Sequence, residues 1–357
     1  MRQIRIRPWH GGLVVLLAAC VTAVVLIADN QPNRSATPLP GVADEPRGPI
    51  TMVSLGDSSV SGEGTGIYTE GTDGQNGDWC HRSPKATVHQ TSVPGIEKTV
   101  NLACSGAPTQ QVALGPHTRY GESSQAARLR ELAKTHEIEN VVVAVGANDD
   151  PHFSRHLNTC VKAWFGGPLC TTQMRQNWTS TIDAMVPKVV TALQDVRTVL
   201  RQVGYEREDY QLVVQSYPSP ISPKIPNNIR NMDGCPFRAA DLDWIRSTGV
   251  PELSRGMREA AQAVDARFLD LSRAGYGHEA CTGGTNASNE WFTRLTVRWD
   301  DLDDVDRASH AAQESFHLNV AGHAQIGRCL TEFLADTTSE AACREGTDGD
   351  LHPTVLP

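Results

Sequence analysis

Between residues 50 and 335, short apolar runs alternate with longer stretches of helical apolar spacing, and this alternation restricts the fold more than any other feature of the chain. The runs are Ile50 to Leu55, Thr99 to Ala103, Asn140 to Val145, Gln211 to Gln215 and Arg267 to Leu271. They have the length of strands, and the third is rich in β-branched valine. From about Ser123 to His136, Thr181 to Val203, Glu252 to Ala266 and Val320 to Leu334, apolar residues recur at the three- and four-residue spacing that builds one helix face. Strands alternating with helices imply a parallel sheet covered on both faces. The expected architecture is a three-layer α/β/α sandwich around a five-stranded parallel sheet, in which ligands bind beyond the carboxyl ends of the strands.

Several chemically useful residues fall just after those strands. The first run breaks into Gly56-Asp57-Ser58-Ser59, which presents a serine on a tight turn, although Gly-Asp-Ser is also ordinary turn composition. After the second run comes Cys104-Ser105-Gly106-Ala107, where a glycine lets a backbone N–H approach a ligand. After the third comes Gly146-Ala147-Asn148-Asp149, whose asparagine either donates to an oxyanion or forms an Asx-turn. Far downstream, Glu314-Ser315-Phe316-His317-Leu318-Asn319 precedes a helical stretch, so His317 sits in a loop, free to reach the serine or simply on the surface. Ester hydrolysis through a serine needs a base, donors for the developing oxyanion and a group that orients the base.

In this order, the four blocks resemble the SGNH or GDSL hydrolase family over roughly residues 50 to 335. The likeness is closest to secreted bacterial esterases and lipases that combine Gly-Asp-Ser with Ala-Cys-Ser-Gly-Ala, Gly-Ala-Asn-Asp and Glu-Ser-Phe-His. The resemblance implies a flavodoxin-like α/β domain and a carboxylic ester hydrolase without a cofactor or metal. Ser58 would be the nucleophile and His317 the base, with the oxyanion held by the N–H groups of Ser58 and Gly106 and the amide of Asn148. The family usually carries aspartate three residues before the histidine, where this chain has Glu314; either Glu314 or a main-chain carbonyl would orient His317. Asp57 is assigned to the turn, and His323 to packing or capping within the last helix.

Nine cysteines occur: Cys20 near the N-terminus and eight beyond it, an even number that suits disulfides in an oxidising compartment. The family resemblance implies pairing of Cys80 with Cys104, Cys160 with Cys170 and Cys235 with Cys281, leaving Cys329 and Cys343 as the remaining couple. A metal site is a poor rival, since the thiols are scattered and neither Cys-x-x-Cys nor His-Glu-x-x-His occurs. Arg2, Arg5 and Arg7 precede an apolar run from Gly11 to Ala28, which reads as a membrane anchor or a cleaved signal peptide. A lipoprotein box ending at Cys20 ranks last, because the apolar run continues past it.

The expected organisation is therefore a targeting segment at 1–29, a proline-rich tether at 30–48, a hydrolase domain at 49–336 and a polar, poorly ordered tail at 337–357. Formal net charge is −9, which argues against a nucleic-acid partner. The expected substrate is a small-molecule or lipid ester or an acylated glycan; the alternatives are a polysaccharide O-deacetylase or acyltransferase on the same fold, and a membrane-tethered glycan-binding module with a vestigial site. The chain is expected to be monomeric and extracytoplasmic, and to meet a membrane only through an uncleaved N-terminal segment.

Overall fold

A computed structural model of the chain describes residues 48–356, and the targeting segment and most of the tether lie outside the described residues. Seven strands form one sheet: β1 (Ile50–Gly56), β2 (Lys98–Asn101), β3 (Glu137–Ala144), β4 (Gln211–Gln215), β5 (Arg267–Asp270), β6 (Glu340–Glu345) and β7 (Leu351–Val355). The spatial order is β2-β1-β3-β4-β5-β6-β7; all neighbours are parallel except β6 and β7. The central strands are apolar on both faces, as a doubly covered sheet requires: Met52, Val53, Leu55 and Val141 to Val143 are all buried.

The helices include α1 (Ser58–Ser61), α2 (Gln125–Leu132), α3 (Phe153–Trp164), α4 (Thr171–Gln202), α5 (Val250–Ala263) and α6 (Val320–Ala335), with further short helical segments between them. Together with the sheet they make a three-layer α/β/α sandwich. Helix α4 packs beside α2 and α5, whereas α6 packs with the turn Thr87–Gln90. Helix α4 starts ten residues before its apolar spacing suggests. Asp241, far off in sequence, accepts from Thr171 N at 3.0 Å and from Thr171 Oγ1 at 2.7 Å, capping the early start. Among the described residues, no helix is long and apolar enough to cross a membrane.

Two expectations need correction at the carboxyl end. The sheet has seven strands, not five, and Glu340–Glu345 and Leu351–Val355 belong to it and are not a loose tail. β6 has charged residues at both ends and neither a β-branched nor an aromatic residue between them, so its sequence lacks a strand signature. Its place comes from tertiary contacts: pairing with β5, the Cys329–Cys343 disulfide to α6, and the fully buried Leu351 at the start of β7. β7 is an edge strand, which is why it tolerates Pro353.

The chain runs from β1 to β2 on one side and returns to β3 on the other. A crevice opens beyond the carboxyl ends of strands at such a reversal, here the ends of β1 and β3.

Candidate active site

β1 ends at Gly56, whose φ is +139° and where a Cβ would overlap the Ala144 carbonyl, so the turn requires glycine. Asp57 N donates to the Ala144 carbonyl at 3.0 Å, tying the ends of β1 and β3 together. Asp57 then caps α1, its Oδ1 accepting from Ser59 N at 3.0 Å. Ser58 is thereby held at the start of a helical turn immediately past the sheet, largely buried but lining a cleft of roughly 330 Å³. Gly106 and Asn148, which follow β2 and β3, line the same cleft. Among the described residues, neither the Ser58 nor the Gly106 N–H is engaged by a carbonyl. Asn148 Nδ2 lies 3.3 Å from Asp57 Oδ2 and 3.4 Å from the Ala107 carbonyl. Both are long for hydrogen bonds, so they orient the amide without saturating it.

His317 reaches Ser58 from the loop before α6, with 2.9 Å between Nε2 and Ser58 Oγ. Its other nitrogen, Nδ1, is 3.1 Å from the Ser315 carbonyl. A carbonyl can only accept, so Nδ1 carries the hydrogen and Nε2 is left to accept from the serine hydroxyl. Phe316, the intervening residue, has φ +62°, an uncommon conformation for a bulky side chain, held here by burial against Phe237. It is the Ser315 carbonyl, and not the Glu314 carboxyl, that meets Nδ1. His317 N donates to the Glu314 carbonyl at 3.3 Å, closing a turn that brings the Ser315 carbonyl to the ring and leaves the Glu314 carboxyl near Tyr68.

Burial pushes His317 below its usual 6.5, opposed by the negative charge of Glu63 and by the carbonyls of Ser315 and Glu314. Burial likewise raises Asp57, to about 6, against hydrogen bonds from Tyr217 and Ser59. Tyr217 donates to Asp57 Oδ2 at 2.7 Å and accepts from Ala147 N at 3.3 Å, which braces the turn carrying Asn148. His323 is buried, its Nδ1 2.9 Å from Thr87 Oγ1, in keeping with a packing role.

Behind His317 lies a group absent from the sequence reading. Glu63 is fully buried, 2.8 Å from His81 Nδ1, and accepts from Gln313 Nε2 at 2.7 Å and from the Tyr68 hydroxyl at 3.3 Å. His81 Nε2 is in turn 3.1 Å from Asp73 Oδ1, and Asp73 pairs with Arg298. Beside Glu63, Gly64 sits at φ +90° with its backbone against His317; a Cβ there would lie 2.8 Å from His317 Cβ. The sequence did carry a signal for this segment: one acid between two glycines in Ser61-Gly62-Glu63-Gly64. Tyr217, inside a long connection, carried none.

The four disulfides join Cys80 to Cys104, Cys160 to Cys170, Cys235 to Cys281 and Cys329 to Cys343. The first ties the strand leading to Gly106 against the residue before His81, where Ser105 N also donates to the Cys80 carbonyl at 3.0 Å. Replacing both cysteines by serine should cost about 3.5 kcal/mol of stability for a closed loop of this length. It should also lower kcat, because the Gly106 loop loses its clamp. Denaturant unfolding read alongside turnover checks this, and unaltered turnover in a destabilised variant would refute the coupling.

The family model of the GDSL-like lipase/acylhydrolase family matches residues 54–325. The chain belongs to this family. Among solved structures, the GDSL-like chain is similar to an extracellular lipase from Streptomyces rimosus: 20% identity over 77% of this chain and 95% of that one, TM-score 0.50. It is also similar to phospholipase A1 from Streptomyces albidoflavus NA297, at 22% identity over 77% and 95% of the two chains, TM-score 0.48. The first likeness supports the fold of this GDSL-like domain and nothing finer. No curated protein matches the chain.

Proposed function

We propose that this GDSL-family chain is an extracytoplasmic serine esterase that cleaves carboxylic esters through an acyl-enzyme. The observation that carries the reading is the 2.9 Å approach of His317 Nε2 to Ser58 Oγ, in a cleft that Gly106 and Asn148 also line. His317 takes the hydroxyl proton as Ser58 Oγ attacks the ester carbonyl, and returns it to the departing alcohol. Water, activated by the same nitrogen, then releases the acyl group. In both steps the tetrahedral oxyanion accepts from the N–H groups of Ser58 and Gly106 and from the Asn148 amide. Nδ1–H remains on the Ser315 carbonyl throughout, which holds the ring in its acceptor tautomer. Four disulfides support an oxidising compartment.

The test is hydrolysis of p-nitrophenyl esters of increasing acyl length, together with labelling by a fluorophosphonate. Turnover with labelling of Ser58 supports the esterase; a protein inert to both would be a binding module with a vestigial site. Within this mechanism Asn148→Ala should lower kcat roughly a hundredfold, about 3 kcal/mol of barrier, with little change in KM. A loss confined to KM would mean that the amide only binds substrate.

A further inference from the structure

Among the described residues lining the cleft around Ser58, Arg119 carries the one fixed positive charge. Its guanidinium is held from two sides: Nε donates to the Ser105 carbonyl at 2.9 Å, Nη2 donates to the Tyr120 hydroxyl at 3.2 Å, and the Tyr120 ring centroid lies 4.7 Å from Cζ. A guanidinium has five N–H donors, so these two bonds leave three. Among the described residues, no carboxylate pairs with Arg119. The acid in its own turn, Glu122, is engaged by Arg82 and Arg128. Asp57 is the sole carboxylate among the described residues lining the cleft, and both its oxygens face Ser59, Tyr217 and Asn148.

The position of this group matters as much as its charge. A Cβ on Gly106 would lie 2.5 Å from Arg119 Nη2, so the guanidinium lies directly over Gly106, whose N–H is a donor of the oxyanion hole. A substrate seated with its carbonyl in that hole brings neighbouring atoms within reach of the free N–H groups. Phe153, Leu157, Phe292 and Leu318 give the same cleft an apolar lining for an acyl chain.

Resting on the esterase reading, we propose that Arg119 forms an anion subsite, and that the preferred ester carries a carboxylate or phosphate close to its scissile carbonyl. A rigid, unpaired guanidinium recognises two oxygens of such a group at once, with little ordering cost. Water solvates it when no substrate is bound.

Two pairs of probes test the subsite: p-nitrophenyl hemisuccinate against p-nitrophenyl butyrate, and 1-butyrylglycerol 3-phosphate against 1-butyrylglycerol. The quantity read is the ratio of kcat/KM for the anionic ester to that for its neutral partner. In Arg119→Gln this ratio should fall roughly ten- to hundredfold for at least one pair, the range of a charge-assisted hydrogen bond. Arg119→Lys should keep part of it, and added NaCl should lower it in the wild type more than in Arg119→Gln. The pair with the larger fall tells carboxylate from phosphate. An unchanged ratio in both pairs would overturn the subsite and leave Arg119 as a brace for the Gly106 loop. Calorimetric titration with inorganic phosphate separates this outcome from failure of the esterase reading. If no ester is turned over, phosphate binding that is lost in Arg119→Gln still supports the subsite, and equal or absent binding in both proteins overturns it.

Discussion

Ser58→Ala should lower kcat on p-nitrophenyl butyrate by about a millionfold, the scale seen when a serine hydrolase loses its nucleophile. It should abolish fluorophosphonate labelling and leave the protein folded. The fold should survive because the substitution removes one oxygen, whose partner, His317 Nε2, faces a cleft that water can enter. The backbone of α1 and its Asp57 cap are retained. Some catalysis over the uncatalysed reaction should remain, since the oxyanion donors stay in place. His317→Ala should cost about as much, and the double variant little more, because a nucleophile and its base act as one unit. Additive losses would mean that the two residues serve separate steps. Retention of wild-type turnover in Ser58→Ala would remove the serine mechanism altogether.

How far the sequence could be read depended on where each piece of information resides. Strand runs such as Ile50 to Leu55 and Asn140 to Val145 were visible because a doubly covered sheet demands continuous apolar residues, a local property. β6 and β7 were invisible because Glu340–Glu345 and Leu351–Val355 become strands through their neighbours and a disulfide, not through their own composition. The early start of α4 was hidden for the same reason, its cap coming from Asp241, 70 positions away.

At the site, Ser58, Gly106, Asn148 and His317 were legible because each follows a strand or precedes a helix, and parallel topology brings such ends together. The orienting group was not decidable from sequence. A carbonyl is present at every residue, and only the turn at Glu314 to His317 brings that of Ser315 to His317 Nδ1. Glu63 was missed because its partners, His81 and Gln313, are 18 and 250 residues distant.

Glu63→Gln should reveal what that buried charge does. A fully buried carboxylate is costly unless it is paired and hydrogen-bonded, and here His81, Gln313 and Tyr68 meet those needs. Burial alone would raise its pKa, yet the contacts with His81, together with His317 and Ser105, hold it below its ordinary value, so it is ionised at neutral pH. The charged and titratable groups around it are His81, Asp73 with Arg298, Glu314, Tyr68 and His317.

The glutamine variant has nearly the same shape but no charge, and it sets an amide N–H₂ among donors. Disrupting a buried pair in this way costs about 3–5 kcal/mol of stability. The effect on His317 has a definite sign. The Glu63 charge raises the His317 pKa against burial, so removing it lowers that pKa further. A base with a lower pKa stays neutral to lower pH, so the acidic limb of kcat/KM, already below pH 6.5, should move to still lower pH. The plateau should fall roughly a hundredfold, because the imidazolium formed at each tetrahedral step has lost its counter-charge. Glu63→Asp, which keeps the charge, should leave the limb near its wild-type position even if stability drops. A Glu63→Gln enzyme that is less stable and slower, but whose acidic limb has not moved, would reduce Glu63 to a packing and anchoring residue. His317 would then draw its orientation and stabilisation from the Ser315 carbonyl and the surrounding dipoles alone.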